Sequence, residues 1–174
     1  MIELGVIQED EPIELLDGQL VVRDREGPEH AAGVRRVLAV LQPVAGDAWQ
    51  VDCCRAFALD ADSEPEPDVA VVPFDPQYYR AGHPSRAVLL VEVSDSSYRI
   101  DHTYKASLYA RAGVPEYWVV DVAHARLEVH RAPAASSEAP YGWRYSSVTV
   151  LPKSDEVTLL FAPTVTIRIA DLLI

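Results

Sequence analysis

The run Ala87-Val88-Leu89-Leu90-Val91 sets five apolar residues in succession with no alternation, and a strand of that kind is covered on both faces. The chain must therefore build a sheet with layers above and below a central strand. Glu92 follows at once, in Val91-Glu92-Val93-Ser94, where a charge is expensive unless something compensates it. Asp68 poses the same question, since it follows Pro67 and opens the apolar run Val69-Ala70-Val71-Val72. Two carboxylates converging at the ends of neighbouring strands repel each other unless they share a divalent cation. Mg²⁺ or Mn²⁺ suits such a pair, because hard cations take oxygen ligands and keep several waters. Spacing alone leaves the plainer readings open: Asp68 capping a turn, and Glu92 paired with an arginine.

Patterning around this strand predicts a mixed α/β (α+β) architecture. Pro12 to Val22 reads as two short apolar runs around Asp17-Gly18, a hairpin signal. From Pro28, Ala31, Val34, Val37, Leu38 and Leu41 recur at helical spacing, which predicts one amphipathic helix ending at Pro43. Strands are expected at 48–59, 68–72 and 87–94. A second helix is expected between Arg99 and Gly113, then a strand over 116–121 with a hairpin partner at 126–131. The Ala/Ser/Pro segment 132–140 reads as a mobile loop, and 143–150, 157–161 and 165–169 as further strands. No internal repeat or domain boundary is visible, so residues 1–174 are expected to form one domain.

Composition narrows the function. Hydrophobic residues make up 49% and charged residues 24% of the 174 positions, the balance of a globular protein. No apolar run reaches the ~20 residues of a spanning helix, and the acidic start through Glu9 and Asp10 has the wrong polarity for a signal peptide. A soluble cytoplasmic protein is expected. The two cysteines, Cys53 and Cys54, are adjacent and point to opposite strand faces, which disfavours a bridge. His83, His102, His124 and His130 show no zinc-like spacing and receive no metal role. A net charge of -12 repels phosphate backbones, so a nucleic-acid role needs a local site or a cation. Arg35, Arg36, Arg99 and Arg111 are the obvious residues for a positive rim.

On the second helix Asp101, Lys105 and Tyr109 follow at i, i+4 and i+8 and share a face. Lys105 is one of two lysines in the chain, and its stem is long enough to bring an ammonium to the end of the preceding strand. The ordinary alternative is an Asp101–Lys105 surface pair worth ~0.3–0.5 kcal/mol. Together Pro67-Asp68, Val91-Glu92-Val93-Ser94-Asp95-Ser96-Ser97, Asp101, Lys105, Tyr109 and Gly113-Val114-Pro115-Glu116-Tyr117-Trp118-Val119-Val120-Asp121 resemble the Uma-type restriction endonuclease family of the PD-(D/E)xK nuclease superfamily. Glu14-Leu15-Leu16-Asp17-Gly18 and His30 also match, so the resemblance spans about residues 12 to 131.

The resemblance implies a restriction endonuclease-like core: a mixed β-sheet flanked by helices, with an N-terminal hairpin and extra C-terminal strands. It implies Asp68 and Glu92 as metal-binding carboxylates, the Val93 carbonyl as a further ligand, and Lys105 as the catalytic lysine moved onto the helix. The superfamily's usual lysine position, two residues after the glutamate, is Ser94 here. Glu14, His30, Ser94, Asp101 and Tyr109 become a second tier; for His30 a local hydrogen bond at the helix start is the plainer expectation. The implied function is Mg²⁺- or Mn²⁺-dependent hydrolysis of phosphodiester bonds in DNA; cutting both strands with one site per chain calls for two copies, so a homodimer is expected. The competing function is a non-enzymatic protein-interaction domain that retains the nuclease fold, with hydrolysis of a small phosphorylated molecule ranked below both.

Overall fold

The computed structural model describes residues 11–23, 27–75 and 82–174; the acidic Glu9-Asp10 start lies outside them. Asp17 and Gly18 both take positive φ, 51° and 78°, as a tight type I′ turn requires. They join β1 (Ile13–Leu16) to antiparallel β2 (Gln19–Val22). Helix α1 (Pro28–Ala45) starts with proline in its first turn, where the missing N–H costs nothing. It does not stop at Pro43 as expected. Pro43 sits in the final turn, and the helix ends at Gly46, whose φ is 59°.

Six strands form the main sheet in the order β3-β4-β5-β6-β7-β8, comprising Trp49–Cys53, Val69–Pro73, Leu89–Ser94, Glu116–Asp121, Arg126–Ala135 and Trp143–Pro152. Among the described strand pairs of this sheet only β5–β6 is parallel, as a helical crossover between them demands. β5 is buried at every position, matching its unbroken apolar run. One face of the sheet packs Val69, Val71, Leu89, Val91, Trp118 and Val120 against α1 and the C-terminal elements. The other packs Ala70, Val72, Leu90, Tyr117 and Val119 against the crossover helix. The C-terminal elements are a small hairpin of β9 (Glu156–Thr158) with β10 (Thr166–Arg168), followed by α3 (Ile169–Leu172).

Further expectations need correction; the strands expected at 157–161 and 165–169 are the shorter β9 and β10, and Ile169 opens α3. β3 is shorter than 48–59, because Cys54 turns the chain with φ 50°. Segment 132–140 is not a loop throughout: Ala132 to Ala135 continue β7, with Pro133, Ala134 and Ala135 paired to Tyr145, Arg144 and Trp143. Only the tip beyond them turns, closed by a 2.8 Å bond from the Ser136 N–H to the Gly142 carbonyl. The crossover is not one α-helix either. It opens as a π-helical stretch, Ile100–Lys105, and tightens into α2, Ala106–Arg111. Within it the Ala106 N–H reaches back to the Asp101 carbonyl, the five-residue spacing of a π-turn.

Candidate active site

The register of the sheet places the two costly carboxylates together. β4 pairs Val69 with Val91, so Asp68, one residue earlier, lies across from Glu92. Alternation sends Leu90, Glu92 and Ser94 to the face covered by the crossover helix, and Glu92 is 3% exposed. Asp68 is held from two sides. Its Oδ2 accepts the Val93 N–H at 2.7 Å and lies 3.0 Å from His30 Nε2. His30 therefore bonds across 38 residues to Asp68 and is not simply a locally bonded helix-start residue.

Lys105 enters from the end of the π-helical stretch and is 4% exposed. Its Nζ donates to Glu92 Oε1 at 3.0 Å and to Glu14 Oε1 at 2.9 Å, with Asp101 Oδ1 at 4.0 Å. The surface-pair alternative for Asp101 and Lys105 fails, since both are buried. This ammonium is also a structural group, because its removal strands two buried carboxylates. Tyr109, one turn on, donates its hydroxyl to Glu92 Oε1 at 2.8 Å. Ser94 donates its hydroxyl to Asp101 Oδ2, as does Ser97, tying the end of β5 to the helix. Ser94 thus fastens the helix that carries Lys105. Glu14 arrives on the N-terminal hairpin, 91 residues from Lys105, and also accepts the Glu66 N–H at 2.8 Å.

Electrostatics follow from this crowding. Burial pushes Glu92 well above the ordinary carboxylate range; Lys105 opposes that rise, and Asp68, Asp101 and Glu14 add to it. Asp101 is raised by burial as well, against the lowering effects of Lys105, Ser94 and Ser97. Burial alone would lower Lys105, but Glu92, Glu14, Asp101 and Asp68 hold it above its ordinary value. Tyr109 is raised by burial and by Glu92. The site is a low-dielectric pocket with carboxylates in excess over cations.

A cleft of about 140 Å³ opens onto these groups, lined by Glu14, His30, Asp68, Glu92, Asp101 and Lys105 among others. Among the described residues, the hydrogen bonds to Asp68 fall on Oδ2 and those to Glu92 on Oε1. The second oxygen of each carboxylate stands outside those bonds. Carboxylate oxygens of this kind are hard donors, the class that Mg²⁺ or Mn²⁺ takes in preference to a soft metal. Arg111 does not serve a positive rim at this cleft, being bonded to Asp17 and Asp60 at 2.5 and 2.9 Å.

The family model for Uma2, described as "putative restriction endonuclease", matches residues 2–170. The chain belongs to the Uma2 family. Among solved structures, it is similar to "a putative nuclease belonging to DUF820" from Anabaena variabilis, with a TM-score of 0.71 at 14% identity. That match covers 98% of this chain and 94% of the other, so the two share a fold over nearly their whole length. No curated protein matches the chain.

Two features of the Uma2 chain escaped the sequence reading. Gly33 lets α1 approach β5, because a Cβ there would stand 2.7 Å from Val93 Cγ1. That contact sets α1, and with it His30, against the strand whose Val93 N–H holds Asp68. A glycine inside a helical pattern, where alanine is better by ~1 kcal/mol, was the available signal. Ser97 was quoted within a motif but given no role, although it shares Asp101 with Ser94.

Proposed function

We propose that this Uma2 member is a metal-dependent nuclease that hydrolyses phosphodiester bonds in DNA, with Asp68, Glu92 and Lys105 as its catalytic residues. The observation that carries the reading is the burial of these three side chains in one cleft, drawn from the residue before β4, from β5 and from the crossover helix. Asp68, Glu92 and the Val93 carbonyl hold Mg²⁺ or Mn²⁺. When bound, the cation supplies a lowered water pKa and neutralisation of charge on the phosphate.

The chain's own groups do the rest. The Val93 N–H and His30 orient Asp68, and Tyr109 orients Glu92. Lys105 exchanges its bond to Glu14 for the scissile phosphate or the attacking water, placing positive charge where negative charge develops. Asp101, fixed by Ser94 and Ser97, sets the height of Lys105 above the strand end. The reading includes one catalytic domain, a cytoplasmic location and a homodimer, since cutting both strands of a duplex with one site per chain calls for two copies.

One observation favours the interaction-domain alternative: Lys105 already compensates Glu92 and Glu14 without a cation. Calorimetric titration of Mg²⁺ and Mn²⁺ into wild type and Asp68→Ala, joined to cleavage assays on plasmid, linear and single-stranded DNA, separates the two. Binding of a cation that Asp68→Ala loses, together with cleavage that follows it, supports the nuclease. Intact DNA in the presence of either metal overturns it.

A further inference from the structure

Glu128 lies two strands from Glu92 in the same row of the sheet, because Glu92 pairs with Val119 and Val119 with Glu128. At about 4.8 Å per strand this puts the two glutamates roughly 10 Å apart, too far for one ion to serve both. Two residues along β7, on the same face, stands His130, and the π-helical stretch brings His102 down onto the pair. His102 Nδ1 is 2.6 Å and His130 Nε2 3.3 Å from Glu128 Oε2. One candidate ligand atom from each side chain lies within 4.8 Å of the others, and among the described residues no other three His, Cys, Asp or Glu side chains meet in this way.

The carboxylate is oriented from behind. Tyr98 donates its hydroxyl to Oε1 at 2.7 Å, and Arg126 lies 3.4 Å from the same oxygen. Oε2 is thereby turned toward the two imidazoles. The His130 ring is packed by Tyr117 and Tyr145 at 5.4 and 5.8 Å between centroids, so its position is set by the core. His102, in contrast, is 41% exposed along its side chain. A cleft of about 480 Å³ opens over His102 and His130, with Thr103, Arg144 and Ser146 on its walls.

Two imidazoles and one carboxylate are the donor set that zinc takes with a fourth position left open, whereas magnesium prefers oxygen ligands alone. Tetrahedral ligands ~2.0–2.1 Å from a metal stand about 3.3 Å from one another; His130 and Glu128 already have that spacing, and admitting the ion opens the 2.6 Å contact of His102 with Glu128 while the two imidazoles, within 4.8 Å of each other, adjust to the same distance. A hydrogen bond from Tyr98 to the ligating carboxylate is the outer-shell support that such centres use. We infer that His102, Glu128 and His130 form a second metal centre, selective for zinc over magnesium, whose open coordination position faces the cleft beside Arg144. Its ligands join β7 to the helix that carries Lys105, so the bound ion pins that helix to the sheet.

The test is calorimetric titration of Zn²⁺ into tag-free protein in excess Mg²⁺, with Co²⁺ as a visible-absorption probe of tetrahedral coordination. Wild type and Glu92→Gln should each take one Zn²⁺, and Co²⁺ should give the intense d–d bands of a four-coordinate site. Tyr98→Phe should weaken Zn²⁺ by about 10–100-fold, and His102→Ala, whose exposed side chain spares the fold, by more. His130→Gln should abolish the Co²⁺ bands. Zinc bound equally by His102→Ala and wild type, or lost in Glu92→Gln, would place the ion in the Asp68–Glu92 cleft and overturn the inference. Absence of zinc binding by wild type would leave a hydrogen-bonded triad and overturn it too. The proposal stands apart from the nuclease reading, which Glu92→Gln tests separately through cleavage.

Discussion

Lys105→Met keeps the length of the side chain and removes its charge, which leaves Glu14 and Glu92 facing each other in a pocket where they are 2% and 3% exposed. Two bonds of 2.9 and 3.0 Å are lost. Breaking a buried ion pair from one side costs ~3–5 kcal/mol. Protonation of one carboxylate sets a ceiling on that cost. At ~1.4 kcal/mol for each pH unit above the ordinary 4.5, neutralising one glutamate takes about 5 kcal/mol at pH 8 and about 1.4 kcal/mol at pH 5.5. The sign follows from linkage: a carboxyl raised in the folded state is no burden below its unfolded pKa and becomes one as pH rises. The deficit of Lys105→Met against wild type should therefore shrink several-fold between pH 8 and pH 5.5. Urea unfolding in chelator at the two pH values, with Lys105→Met/Glu92→Gln recovering part of the loss, reads it directly. A deficit under ~1 kcal/mol at pH 8, the level of a surface pair, or one that does not change with pH, would refute the reasoning.

Gly33→Ala should destabilise the fold by about 1–2 kcal/mol, the overpacking against Val93 exceeding the gain in helix propensity, and Val93→Ala should relieve the loss in a double-mutant denaturation cycle. Glu128 would be raised by burial, but hydrogen bonds from His130, Tyr98 and His102 bring it down to about 2. Its contribution to stability is thus present above its ordinary 4.5 and lost as pH falls toward 2; Glu128→Gln should flatten the pH dependence of urea midpoints over that window. With a net charge of -12, DNA binding should be weak in chelator, weaker in high salt, and restored by Mg²⁺ or Mn²⁺ in gel-shift experiments. The proposed homodimer should sediment at about twice 19.2 kDa, and a strict monomer would remove it.

Much of the scaffold was legible in short stretches of chain. Asp17-Gly18 between apolar runs specified its hairpin, and the unbroken Val88 to Val91 run specified a strand covered on both faces. The isolation of Glu92 in apolar surroundings marked it as a group in need of a partner. Where local pattern misled, a tertiary contact had the stronger hand. Ala132 to Ala135 lack strand character, yet they extend β7 because β8 runs on opposite them and the ladder resumes in the same register past Ala132. The π-turn at Asp101 leaves no trace in helical periodicity; Tyr117 donates its hydroxyl to the Asp101 carbonyl at 3.1 Å from β6, on the sheet face beneath the helix.

The sequence by itself determined which residues were costly: buried-strand carboxylates, a rare lysine, a run that had to be central. Those costs are local, since they depend on neighbours a few positions away. Only the tertiary structure decided how the costs were met. Glu14 and Lys105 are 91 positions apart, His30 and Asp68 are 38, and His102 meets Glu128 over 26. No spacing rule connects such pairs, because their meeting depends on strand order, on register and on which face the crossover helix covers. The parallel β5–β6 pair is what turns that helix back over Glu92 and Glu128 together. A one-residue slip of β7 would send Glu128 and His130 to the opposite face, and the second cluster would vanish with every local pattern intact.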